Sequence, residues 1–215
     1  MRKKTKITFL FDKNNAWFEK YFNIRDFRKK KKYSFKISKK YKNIKNQDIV
    51  FIINYTKILP ENFLKKNQLN LVIHAGNLPK DRGFAPVTYQ ILKNKKKIHV
   101  CLIEAKKKVD SGDIFIKKNF TLNGSEIYEE IREKTAITMI RLIKIFLNKY
   151  PRLNKKKQVG KATYNRKRNS KDSMINIQKS IKSQFNLMRV CDNENFPLFF
   201  YHKNNKYILK IFKDN

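Results

Sequence analysis

The residues of this chain best suited to chemistry are His74, which ends an apolar run over residues 69–73, and Asp110, in the turn Asp110-Ser-Gly-Asp-Ile114. An imidazole beside a carboxylate can give and take protons and hold a developing oxyanion, without an enzyme nucleophile. Gly76, Pro79, Gly83 and Pro86 follow the histidine closely, although the chain has only five glycines and five prolines. Such residues stand where a backbone takes a special path, so the turn after His74 is expected to be rigid. Between His74 and Asp110 there is room for a helix over residues 86–95 and a strand over 98–105, which could bring the acid back to the imidazole. A lone His at a strand end, or an Asp in a glycine turn, is more often structural. The pair needs its surroundings to carry meaning.

The elements that must position it read as α/β. Residues 7–11, 33–37, 48–53 and 69–73 are expected as strands, and 16–22 and 61–66 as short helices. Trp17 reads as a packing residue, and Phe18 and Phe22 as core. Strands alternating with helices imply a parallel sheet with covered faces, whose carboxyl edge is the place for a ligand. Residues 114–122 continue as a strand. A long helix follows to about Asn148, with Ser125 as its expected cap and Ile127, Ile131, Thr135, Met139, Leu142 and Phe146 as its buried stripe. A basic loop over 152–173, a helix over 180–190 and a hairpin over 198–212 complete the chain. The division expected is a Rossmann-like domain over 1–151 and a small helix–hairpin subdomain over 152–215. The stretch from Tyr207 to Ile211 reads either as a homodimer surface or as a hairpin packed on its own domain.

Composition bounds the partners. The 215 residues carry a net charge of +35, from 52 basic and 17 acidic side chains. Such an excess points toward polyanions. Here the lysines run along the whole chain and accompany abundant Asn, Ile and Phe, which favours biased genome composition over a dedicated nucleic-acid surface. Cys101 and Cys191 have no metal-type spacing and read as buried free thiols in a reducing compartment. The first apolar run is too short for a signal peptide, and none approaches a membrane span. The expectation is a cytoplasmic protein with no membrane or nucleic-acid partner.

The stretch His-Ala-Gly-Asn-Leu-Pro-Lys-Asp-Arg-Gly-Phe-Ala-Pro86 resembles the His-x-Ser-x-Leu-Pro-x-x-Arg-Gly-x-x-Pro signature of the 10-formyltetrahydrofolate-dependent formyltransferases. Val109-Asp-Ser-Gly-Asp-Ile114 resembles their Asp-x-Gly-x-Ile segment. Several further stretches, RGFAPVTYQIL, KSQFNLMRVCDNENFP and KYILKI among them, are similar to the small N-formyltransferases that act on nucleotide-linked amino sugars for surface polysaccharides.

The resemblance implies a Rossmann-like, mostly parallel sheet with flanking helices, 10-formyltetrahydrofolate as formyl donor, and no metal. It assigns acid/base and oxyanion roles to His74 and Asp110. It places the folate against the loop of residues 54–60 and the Asp110 turn, hence Tyr55, Ile58, Leu59 and Val109. The expected acceptor is the amine of a nucleotide-linked amino-dideoxy sugar, met by Lys80, Arg82 and Tyr89. A brace of its own loop is the competing reading for Arg82, whereas Arg166, Lys167 and Arg168 could meet a diphosphate but read first as a solvated basic loop. Initiator methionyl-tRNA formylation is the alternative activity, and an inactive polyanion-binding relative the second alternative. Two positions depart from the family pattern. Its Ser is Gly76, and its Asn two residues before the His is Val72. Asn70 shares that strand face but lies roughly 13 Å from His74 at about 3.3 Å per residue. Asn77 is therefore the nearest candidate for a second oxyanion donor.

Overall fold

The computed structural model describes residues 4–214. A six-stranded sheet organises it, built from β1 (Thr5–Phe11), β2 (Tyr33–Ser38), β3 (Ile49–Ile53), β4 (Leu69–His74), β6 (Lys97–Glu104) and β7 (Ile114–Thr121), in the order β2-β1-β3-β4-β6-β7. A short strand, β5 (Arg82–Gly83), lies outside it. The pairings from β2 to β4 are parallel, whereas β6 runs antiparallel to both β4 and β7. The sheet is therefore mixed, parallel through its first four strands in spatial order.

The apolar runs explain the layers. All five residues of β3 are buried, as a central strand covered on both faces requires. On one face, Phe9, Phe51, Leu71, Ile73, Val100 and Leu102 pack with Met139, Leu142 and Phe146. Those last three belong to the long helix α4 (Tyr128–Lys149), which follows α1 (Arg25–Arg28), α2 (Glu61–Lys65) and α3 (Pro86–Leu92). Trp17 packs at the edge of this core, with the Arg132 guanidinium 4.3 Å from its ring centroid. The other face carries Leu10, Val50, Ile52 and Val72. It is covered by Phe63 and by Tyr41, Tyr55 and Leu59. His74 alternates onto this second face with Asn70 and Val72.

The start of α4 corrects one expectation. Ser125 is not the cap; its amide and hydroxyl both donate to Asn123 Oδ1 at 2.8 Å. The helix begins three residues later, where Glu130 reaches back to accept the Ile127 amide at 2.9 Å. Between them, the Glu126 carboxylate accepts the amides of Asn123 and Gly124 and the Lys134 ammonium. Burial alone would push this carboxyl up, but those donors outweigh it and hold it at about 2. Buried Arg189 donates to the Glu126 carbonyl at 3.1 Å and stands 3.7 Å from its carboxylate. Glu126 thereby ties α4 to the end of α5 (Ile181–Met188).

A carboxyl lowered on folding contributes stability that is complete above its ordinary value of 4.5 and is lost as the pH falls toward 2. Glu126→Gln should therefore lower the melting temperature at neutral pH and flatten its decline over that acidic window. Thermal melts of both proteins across that range test this. A parallel decline in wild type and variant would refute it.

The chain after α4 returns to the sheet. Lys156 and Ile114 exchange both backbone hydrogen bonds, and β8 (Tyr164–Asn165) pairs with β5. A hairpin of β9 (Leu198–His202) and β10 (Asn205–Leu209) ends the described chain, with Tyr207 44% and Ile208 59% exposed.

Candidate active site

Parallel strands deliver their ends to one edge, and His74 is the last residue of β4. The antiparallel β6 pairs Cys101 with His74 and Glu104 with Leu71, so it finishes away from that edge. The loop over residues 105–113 must travel back, and it does. Asp110 Oδ2 lies 3.4 Å from His74 Nδ1, with the imidazole buried and the carboxylate side chain 10% exposed. The same carboxylate oxygen accepts the Gly83 amide at 2.8 Å.

The other ring nitrogen, Nε2, stands 2.7 Å from the Asp81 carbonyl oxygen. A carbonyl can only accept, so Nε2 carries a proton and donates. Both ring nitrogens thus face acceptor oxygens. Gly76 makes the arrangement possible. A Cβ there would sit 2.4 Å from His74 Nε2 and 2.7 Å from the Asp81 carbonyl oxygen. A Ser at this position, as in the resembled signature, would occupy the space that this ring fills.

The turn after the histidine is tied down by groups that spacing does not reveal. Lys117 on β7 donates to Asn77 Oδ1 at 2.5 Å, and the Cys101 thiol donates to the Gly76 carbonyl at 3.3 Å. Burial pushes that thiol up to about 11, which makes it an inert packing group. Asn77 keeps its amide NH2 free of protein partners among the described residues. Asn70 is spent elsewhere: its NH2 donates to the Leu64 carbonyl at 2.8 Å. Val72 packs with Ile52 on one side and with Cys101 and Ile103 on the other, and offers no donor.

Of the residues expected to wall a folate, Tyr55 and Leu59 lie on the sheet face that carries His74. Tyr55 and Leu59 pack on the cluster that includes Val72, Ile58 is 75% exposed between them, and Val109 is 40% exposed beside Asp110. Buried Asp12, at the end of β1, anchors this loop by accepting the Thr56 amide at 2.7 Å and its hydroxyl. Burial would raise the Asp12 carboxyl, but these donors and the Asn14 amide bring it below its ordinary value. Sequence reading places Asp12 in a loop without a role. Only its distance to Thr56 supplies one.

The expected substrate contacts need correction. Arg82 is 8% exposed and committed: Nη1 donates to the Tyr164 hydroxyl at 3.0 Å and Nη2 to Gln158 Oε1 at 2.7 Å. It braces its own loop rather than reaching outward. Arg166 forks onto Asp172, and Arg168 donates to the Asp172 carbonyl, so neither is free for a diphosphate. Tyr89 donates to the Arg166 carbonyl at 3.2 Å, and Lys80 is exposed. Among the described residues, no three His, Cys, Asp or Glu side chains converge to hold a metal ion, and no helix is long and apolar enough to cross a membrane.

A Rossmann-like sheet that brings an imidazole and a carboxylate together at the end of β4 defines an α/β protein with a candidate acid/base site at its strand ends. The chain belongs to the formyl transferase family, whose model matches residues 2–142. A methionyl-tRNA formyltransferase from Sulfurihydrogenibium is 31% identical over 148 residues, covering 67% of this chain and 48% of that protein. The chain thus spans about half the length of that relative. Among solved structures, a methionyl-tRNA formyltransferase from Clostridium thermocellum superposes with a TM-score of 0.77 at 22% identity, over 95% of this chain and 90% of the other. A 4-N formyltransferase from Francisella tularensis gives 0.74 at 16% identity, over 98% of each chain. These two likenesses are of fold.

Proposed function

We propose that this protein transfers a formyl group from 10-formyltetrahydrofolate to the amine of a nucleotide-linked amino-dideoxy sugar. The observation that carries the chemistry is the His74–Asp110 pair at 3.4 Å. In such a transfer the amine lone pair forms a C–N bond to the formyl carbon, and the carbonyl electron pair moves to oxygen. Collapse breaks the bond to the folate nitrogen, which takes up a proton as the amine loses one.

His74 is the group placed to donate to the oxyanion, and Asp110 the group that orients the ring and organises the amine's proton. With Nε2 donating to Asp81, the ring must exchange that bond for the formyl oxygen during the reaction. The free NH2 of Asn77 is the side-chain amide in the turn available to share the oxyanion in place of Val72. Tyr55, Ile58, Leu59 and Val109 form apolar walls suited to a flat heteroaromatic ring, and Lys80 and Tyr89 border the acceptor's approach.

The sugar reading is supported by the sequence resemblance to the small amino-sugar enzymes. The second reading, formylation of methionyl-tRNA, is favoured by the relatives' activity and by the charge of +35. Mass spectrometry decides between them. Protein and 10-formyltetrahydrofolate are incubated with nucleotide-linked 3-amino and 4-amino sugars, or with charged initiator tRNA. A formyl mass gain on a sugar is expected. Gain on the tRNA alone would replace the proposed substrate, and steeply salt-dependent polyanion binding with no transfer would point to an inactive relative.

A further inference from the structure

We infer that Gln158, contributed by the segment after α4, is a positioning residue for Asp110; this rests on the proposed role of the His74–Asp110 pair. Asp110 needs holding. It sits at a φ of 51°, in the left-handed region that Asp tolerates better than most residues but still uncommonly adopts. Its carboxylate is gripped by the Gly83 amide. Its main chain is gripped by Gln158, whose Nε2 donates to the carbonyls of both Asp110 and Gly112, each at 2.8 Å. The Gln158 Oε1 accepts from Arg82 at 2.7 Å, and Arg82 directly precedes Gly83. One amide therefore joins both turns of the site, the turn carrying Asp110 and the turn whose amide orients its carboxylate.

The side-chain type follows from these partners. Two carbonyls need two N–H donors and the guanidinium needs an acceptor, a combination that an amide supplies and a carboxylate or ammonium does not. The segment is itself anchored, by the Lys156–Ile114 hydrogen-bond pair, by Thr163 accepting the Asp81 amide at 3.0 Å and by β8 against β5. The segment beyond the catalytic sheet thereby sets the geometry of the pair.

Gln158→Glu separates the two functions of the amide. It keeps an acceptor for Arg82 but turns both donors into repulsive contacts with the carbonyls; Gln158→Leu removes everything. With Asp110 displaced by about 1 Å, kcat should fall on the order of 10²-fold in both variants. KM for the acceptor should stay near wild type, and the kcat–pH profile should shift.

The His74 imidazole titration, followed by NMR and assigned with His74→Ala, is read in parallel. It should move in Gln158→Glu, whether or not the acceptor is the proposed one. Unchanged kcat and His74 titration with a lowered melting temperature would reduce Gln158 to a structural tie, and a rise in KM alone would make it a substrate brace. Either overturns the inference. Full activity of His74→Ala would instead overturn the reading of the pair, leaving the titration to judge Gln158 by itself.

Discussion

His74→Ala is expected to lower kcat about 10²- to 10⁴-fold, the usual contribution of a positioned proton-transfer group. The protein should remain folded, because the strand that carries His74 is held by Leu71 and Ile73 on its other face. Asp110→Asn is the sharper test. The amide can still accept from the Gly83 amide through its oxygen, so the turn has no reason to move. That oxygen is also the atom that faces His74 Nδ1, 3.4 Å away in the wild type, so the variant keeps the acceptor and removes the negative charge beside the ring. A loss in the same range as His74→Ala is expected. The double variant should be little worse than either single one, because two groups acting as a unit are not additive. Single-turnover formylation, with circular dichroism as the check on folding, measures this. Retention of activity within a few-fold in either variant would remove the pair from the mechanism.

The second large effect is expected at Gly112, and its cause is space. A Cβ there would lie 1.7 Å from the Glu104 carbonyl oxygen and 2.7 Å from its carbon, both backbone atoms at the end of β6. No rotamer relieves that contact, so the turn over residues 105–113 must move. The same region is held by the Glu104 amide donating to the Asp113 carbonyl at 3.0 Å and by Gln158 on the Gly112 carbonyl. Gly112→Ala should destabilise the protein by about 1–3 kcal/mol, as overpacking does. It should cost a further 10²-fold or so in kcat by carrying Asp110 away from the imidazole. Denaturant titration and turnover of the folded fraction separate the two losses. A variant with normal stability and turnover would contradict the contact.

Much of this site is legible in the sequence because its signals are local. An apolar run ending in His74 and a turn marked by Gly112 are properties of neighbouring residues, and strand periodicity is enough to place them. The same local logic finds β1, β3 and the buried stripe of α4. It errs where neighbouring side chains compete for the same amides and where partners are distant. Ser125 looks like a cap until Glu130 and Glu126 take the amides. Arg82 looks like a substrate contact until Tyr164 and Gln158, far along the chain, occupy its guanidinium. The antiparallel direction of β6 has no local signature either, because apolar alternation reads the same in both directions.

What the sequence determined by itself was the family and the α/β class, together with which imidazole and carboxylate to propose as a pair, since motif spacing and side-chain period are written along the chain. Only the tertiary structure decided that Asp12 anchors the Thr56 loop, that Gly76 makes room for the imidazole, and that Gln158 holds the turn of Asp110. The first and third depend on distances between residues separated by dozens of positions, and the second on how a short turn folds back over the ring; such distances exist only once the chain has closed on itself.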